Sequence, residues 1–108
     1  MSEAFADLVL ARADDDATAL VFEGHSWTWR EVVAEARARA ALARDLLDPD
    51  RPPHVGLALE NSPENLFWWL GAAISGTAVV GINPTRRGQE LARDITFTDC
   101  QVVVYDDS

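Results

Sequence analysis

An α/β fold is predicted for this chain by three patterns. Short, nearly unbroken apolar runs at Val55–Leu59, Ala78–Ile82 and Val102–Tyr105 look like strands buried on both faces of a parallel sheet. Helix-length segments separate them, from Pro63 to about Ser75 and from about Gly88 to Thr98, which makes a βαβαβ unit with right-handed crossovers. Ahead of that unit, the spacing predicts an N-terminal helix, a β-hairpin and a long helix.

The first element is a helix over Glu3 to Ala13, with Phe5, Leu8, Val9 and Arg12 at helical spacing. It ends in Asp14-Asp15-Asp16. Three adjacent carboxylates lack the alternating spacing of a calcium loop, so they read as a solvated turn rather than a metal site. Ala19–Phe22 and His25–Thr28 flank Glu23-Gly24, a composition suited to a tight two-residue hairpin. Trp27 and Trp29 lie two apart and are expected to share a face of that ribbon in a packing role. Thr28-Trp-Arg-Glu31 fits a capping box, and the helix it opens is expected to reach Leu47. Val32, Val33, Ala36, Ala40, Ala43 and Leu47 form its buried stripe, while Glu35 and Arg39 make an exposed pair. Arg37, Arg39 and Arg44, interleaved with Glu31, Glu35 and Asp45, read as a solvated face. The prolines of Asp48–Pro53 end the helix.

In the second half, Ser62 is expected as an N-cap, with Pro63 at N1 and Glu64 in the first turn. The helix that follows is apolar on nearly every side between Phe67 and Ile74. Such a helix needs more cover than a surface helix does. Leu66 to Ile82 is apolar apart from Ser75 and Thr77, but Gly76-Thr77 and the valines after it mark a change to strand, so no membrane span is expected.

Composition narrows the function. The chain has 108 residues and 48% hydrophobic content, enough for one domain that buries roughly 65% of its unfolded surface. Eighteen acidic against nine basic residues give a formal charge of -9, which opposes nucleic acid and anionic bilayers at long range. All nine basic residues are arginine. Chemistry that needs a lysine, whether phosphate-loop, Schiff-base or general-base, has none to use. The single Cys100 cannot form an intramolecular disulfide, and with no secretory pattern at the N-terminus a cytoplasmic location is expected. Cys100 reads as a packing residue, and His25 and His54 lack partners at metal-binding spacing.

One constellation merits a test. In open α/β sheets ligands sit beyond the carboxyl ends of the strands, here Glu60-Asn61-Ser62, Asn83-Pro84-Thr85 and Asp106-Asp107-Ser108. Each member also reads as a cap or turn residue, the reading preferred here. Gly71 to Thr77 has the glycine spacing of a phosphate loop, but it carries threonine where lysine is required and precedes a strand instead of a helix. No residue is assigned to catalysis, to a cofactor or to a metal.

Read in order, these pieces resemble the N-terminal segment of the AMP-forming acyl-CoA synthetases, the fatty-acid–CoA ligases of the adenylate-forming superfamily. Thr28-Trp29-Arg30-Glu31 stands where that family often has Thr-Tyr-x-Glu. Val55–Leu59 is similar to its first buried strand, and Glu60-Asn-Ser-Pro-Glu64 to its Asn-Ser-x-Glu turn. Leu70-Gly-Ala-Ala, Gly76, Ala78-Val-Val and Asn83-Pro84 follow its Leu-Gly-x-x-x-x-Gly-Ala-Val-x-x-x-Asn-Pro pattern, and Glu90-Leu91 with the closing strand match what comes next. Two departures stand out: Gly81 replaces a common proline, and Arg87-Gly88 replaces the Thr-Pro that starts the next helix, leaving that helix poorly capped.

The resemblance implies that residues 1–108 are one partial AMP-binding N-terminal domain, an incomplete piece of the larger ligase domain. It implies a parent activity in which ATP and magnesium activate a fatty or other carboxylic acid as an acyl-adenylate before transfer to coenzyme A. The family's Pro-Lys phosphate loop, its adenylate contacts and its C-terminal catalytic lysine have no counterpart in these residues, so the chain alone is expected to be inactive. Exposed sheet edges leave self-association open. The alternative is a small non-enzymatic α/β binding or interaction module derived from the ligase N-terminus.

Overall fold

The computed structural model describes residues 2–60, 62–83, 85 and 87–105, with the backbone alone for residues 2–4. Nine elements follow in order: α1 (Ser2–Leu10), β1 (Thr18–Phe22), β2 (His25–Thr28), α2 (Trp29–Leu46), β3 (His54–Ala58), α3 (Pro63–Ser75), β4 (Ala78–Gly81), α4 (Gly88–Thr98) and β5 (Val102–Tyr105). This is the mixed α/β arrangement the sequence predicts. It differs at the end of α1, where Arg12 and Ala13 donate to the carbonyls three residues back, at 3.0 and 3.1 Å. That tighter turn ends the α-helix before Ala13.

β1 and β2 form an antiparallel hairpin, with Phe22 paired to His25 across Glu23-Gly24. Both turn residues have positive φ, 51° and 81°, the mirror-image turn whose twist matches the strands. The capping box at the start of α2 is complete. The Glu31 amide donates to Thr28 Oγ1 at 3.1 Å, and the Thr28 amide donates to Glu31 Oε1 at 2.9 Å. Trp29 is the first residue of α2, so it does not share the ribbon face with Trp27, because the chain turns helical between them.

The second sheet is parallel, in the order β4-β3-β5. The first crossover runs from central β3 to β4 and the second from β4 back across β3 to β5; they run in opposite directions on opposite faces, which gives both the same hand. On one face Val55 and Leu57 of the central strand, with Leu59 just beyond it, meet Ala43 of α2 and Trp68 of α3. On the other, Ala58, Ile82 and Cys100 pack under Leu91 and Ile95 of α4. A third cluster lies away from the sheet, where Val9, Val32, Val33, Ala36, Phe67 and Leu70 join α1, α2, α3 and the hairpin. Burial on both faces, expected for all three parallel strands, holds only for β3. β4 and β5 are edge strands, and α4 has no buried residue of its own.

α3 meets its need for cover on three sides. Phe67 and Leu70 face the third cluster, Trp68 faces the sheet, and Gly71 lies against α2. A Cβ built on Gly71 would stand 2.8 Å from the Ala36 carbonyl oxygen and 2.9 Å from Arg39 Cβ. Only hydrogen at that position lets α2 and α3 come this close.

Arg39 spans the same contact. Its Nε and Nη2 donate to Glu64 of α3 at 2.9 and 2.6 Å, Nη1 donates to Glu35 at 2.7 Å, and the guanidinium sits 5.1 Å from the Phe67 ring centroid. The Glu64 carboxylate is the main cause that raises the Arg39 pKa; burial opposes the rise and Glu35 adds to it. Arg39 is therefore not part of a solvated face. It clamps two helices through a bidentate pair, which the i,i+4 spacing to Glu35 does not disclose. Arg37 is exposed, and Arg44 donates to the Ile74 carbonyl at 3.3 Å.

Candidate functional site

The register of the parallel sheet sets Leu57 beside Gly81 and Ala58 beside Tyr105. The strand ends thus leave from one edge, as the sequence expects. Asn61, Pro84, Asp106, Asp107 and Ser108 lie outside the described residues. Asn83 is committed to a turn, since its Oδ1 accepts from the Thr85 amide at 2.9 Å and the Thr85 hydroxyl at 2.7 Å. Beside it, Gly81, Ile82, Asn83, Arg93, Asp94 and Phe97 border an open recess of about 370 Å³. Phe97 is 90% exposed there.

Ser62 occupies the N-cap position in extended geometry (φ -152°, ψ 166°), but its hydroxyl makes no cap bond. The Asn65 amide, the N3 donor, goes instead to the Ser62 carbonyl at 3.2 Å. Ser62 Oγ and Asn65 Oδ1 are both buried without a hydrogen-bond partner, a state that costs about 1–3 kcal/mol per group. They flank a recess of about 400 Å³ between the hairpin and α3, walled by Leu20, Phe22, Leu66 and Trp69. Sequence reasoning missed this feature because Ser62 in front of a proline is a regular cap signal.

The remaining candidates take structural roles. Asp15 accepts from Arg12 Nη1 at 2.9 Å and from the Ala17 amide at 2.8 Å, while Asp16 accepts from Arg30 Nε at 2.8 Å. The acidic turn is thus held by Arg12 just after α1 and by Arg30 at the start of α2. Among the described residues no three His, Cys, Asp or Glu side chains converge as metal ligands. Trp27 packs edge-on against Phe67 at 6.1 Å between centroids and against His25 at 4.1 Å, whereas Trp29 lies 5.9 Å from the Arg12 guanidinium. His54 Nδ1 bonds the Thr98 carbonyl at 2.9 Å, and buried Cys100 lies 3.1 Å from Thr98 Oγ1. Gly76 is the left-handed C-cap of α3 (φ 74°). That accounts for the glycine spacing at Gly71 to Thr77 without a phosphate. Among the described residues no helix is long and apolar enough to cross a membrane.

The Ala17 amide first, then Arg12, lowers the Asp15 pKa from its usual 3.8; for Asp16, hydrogen bonding and then charge from Arg30 lower it from the same value. A carboxylate with a depressed folded-state pKa adds stability above its unfolded pKa and loses it as pH falls through the folded value. Arg30→Gln is therefore expected to lower the thermal midpoint at pH 7 and to converge with the parent in acid, once the pH has fallen below the depressed folded-state value and the carboxylate is protonated in both. A gap that persists unchanged into acid in a pH series of melting curves contradicts the pairing.

A hairpin, two packed helices and a three-stranded parallel sheet in the order β4-β3-β5 define the class: residues 9–108 match the AMP-binding enzyme family, and the chain belongs to it. Among individual relatives, the steroid-22-oyl-CoA synthetase of Rhodococcus jostii is 50% identical over 101 residues, which are 94% of this chain and 18% of that protein. A medium/long-chain-fatty-acid–CoA ligase of Mycobacterium tuberculosis is 42% identical over 98 residues, 91% of this chain and 20% of the ligase. ATP-bound MatB of Rhodopseudomonas palustris shares the fold with a TM-score of 0.83 at 24% identity, over 98% of this chain and 21% of that one. The chain thus spans about one fifth of the length of the curated relatives it matches.

Proposed function

We propose that residues 1–108 are one partial domain, the N-terminal part of a cytoplasmic, ATP-dependent ligase that activates an apolar carboxylic acid as its adenylate and passes it to coenzyme A. The acid is of the fatty-acid or steroid side-chain kind. The observation that carries this reading is the half-identity to an acyl-CoA synthetase along nearly the whole chain. Within the ligase these residues serve as scaffold and do no chemistry. ATP phosphates and magnesium call for positioned cations and carboxylates, and the chain has no lysine. The described carboxylates of Asp15, Asp16 and Glu64 are occupied by arginines. The residues present do not fit the magnesium site, and no step is derived through it. Exposed Phe97 and Trp69 support a piece of a larger body over a self-sufficient module.

ATP–pyrophosphate exchange with fatty and steroid acids tests both halves of the proposal. The isolated chain is expected to give background exchange only. A chimera in which it replaces the matching first part of the Rhodococcus synthetase is expected to show acid-dependent exchange. Acid-dependent exchange by the chain alone overturns the scaffold role, and an inactive but folded chimera counts against the ligase reading.

A further inference from the structure

We propose that the recess between α1, α2 and α3 is a binding site for a single-chain fatty carboxylate, with the aliphatic tail among apolar side chains and the head group on Arg12. The recess has a volume of about 340 Å³, within the range of small-ligand pockets. Phe5 and Leu8 of α1, Trp29 of α2 and Leu66 of α3 wall it. Its floor includes Val32 and Leu70, both buried in the cluster that joins the helices, so the shape is set by the core and is present before any ligand arrives. The rim is open, with Phe5 49% and Leu8 69% exposed. None of these residues belongs to the strand-end edge. The walls come from this chain alone, and the site does not rest on the ligase reading.

The lining says what kind of molecule fits. Among the residues that border the recess only Arg12 is charged. Its Nη1 donates to Asp15 at 2.9 Å, and its guanidinium stands 5.9 Å from the Trp29 ring centroid. The cation is therefore already held against the apolar wall, which lowers the cost of ordering it on binding. Asp15 takes one N–H, and a guanidinium has five, in a planar fork that matches the two oxygens of a carboxylate. A neutral hydrocarbon leaves that fork unused, and a compact anion such as phosphate leaves the apolar walls unused. A molecule with a long apolar chain and one negative end uses both. The net charge of -9 opposes any anion at long range, but salt screens that field within about 10 Å. A second copy of this chain or an anionic bilayer brings many negative charges and is disfavoured more.

Titration with dodecanoate below its micelle concentration tests the site. Saturable one-to-one binding to the chain is expected, with a shift of the Trp29 indole N–H resonance and none at Trp69, which lies outside the recess. Each CH₂ removed between dodecanoate and octanoate is expected to weaken binding about 3-fold. Arg12→Gln is expected to weaken dodecanoate binding about 10-fold and to leave dodecanol binding unchanged. Leu8→Glu changes an exposed residue, so its melting midpoint is expected within about 2 °C of the parent. It removes part of the apolar rim, places a carboxylate one turn from Arg12, and is expected to weaken dodecanoate binding at least about 10-fold. In the chimera, Leu8→Glu is expected to bind one equivalent of dodecanoate fewer than the parent chimera. Absence of saturable binding, equal loss of dodecanol and dodecanoate in Arg12→Gln, or unchanged stoichiometry in the Leu8→Glu chimera overturns the proposal. Attachment to phosphatidylcholine vesicles without binding of monomeric dodecanoate assigns the face to a bilayer and overturns it as well. Pyrophosphate exchange by the chimera is a separate readout, so the ligase reading and the recess stand or fall independently.

Discussion

Phe67→Ala is expected to cost about 3–5 kcal/mol, a large part of what a domain of this size has to lose. Phe67 is 4% exposed and lies where α1, α2, α3 and the hairpin converge. It meets Trp27 edge-on and lies beneath the Arg39 guanidinium. Its loss opens a cavity and also removes the apolar floor on which the Arg39–Glu64 clamp rests. Neighbours from four elements cannot collapse together into the gap, which places the cost toward the upper end of the range. The comparison is Phe97→Ala, a change of the same chemistry at a 90% exposed site, expected within about 0.5 kcal/mol. Urea midpoints of the two variants decide the matter. Equal losses would mean that the cluster around Phe67 is not the cooperative core.

Gly71→Ala is expected to destabilise the chain by about 2 kcal/mol, although alanine is the better helix former by about 1 kcal/mol. The opposing term is steric. The new methyl would meet the Ala36 carbonyl at 2.8 Å, Arg39 Cβ at 2.9 Å and the Ala40 amide nitrogen at 3.3 Å. These are backbone and Cβ atoms, which cannot rotate away, so α2 and α3 must separate along their contact and the Arg39–Glu64 bonds must lengthen. Gly81→Ala is the control, with nothing within 4 Å of the new Cβ. It is expected to be neutral or slightly stabilising. A higher melting temperature for Gly71→Ala than for the parent would show that the helices are not in this contact.

The outcome at Arg39 shows where legibility in the sequence stops. Its spacing to Glu35 is local, and the pair forms as expected. The stronger partner, Glu64, is 25 residues away, and no periodicity links the two. Ser62 illustrates a different failure. The N-cap position was readable, but not that the Ser62 carbonyl, rather than its hydroxyl, accepts from the Asn65 amide. For β4 and β5 the apolar runs correctly indicated strands. They did not indicate edges, because burial on both faces requires neighbouring strands that a valine run cannot count.

From the sequence alone came the identity and order of the nine elements among the described residues, the capping box at Thr28, the two-residue hairpin turn and the resemblance to the family of AMP-binding enzymes. Each of these depends on residues within a few positions of one another, or on their order along the chain. Strand order, the clamp between α2 and α3, the close approach at Gly71 and the unpartnered polar atoms beside β1 were decided only by the tertiary structure. They depend on which distant surfaces meet. Such meetings are set by the shape and volume of side chains packed against each other, and a one-dimensional pattern of apolar and polar residues carries little of that information.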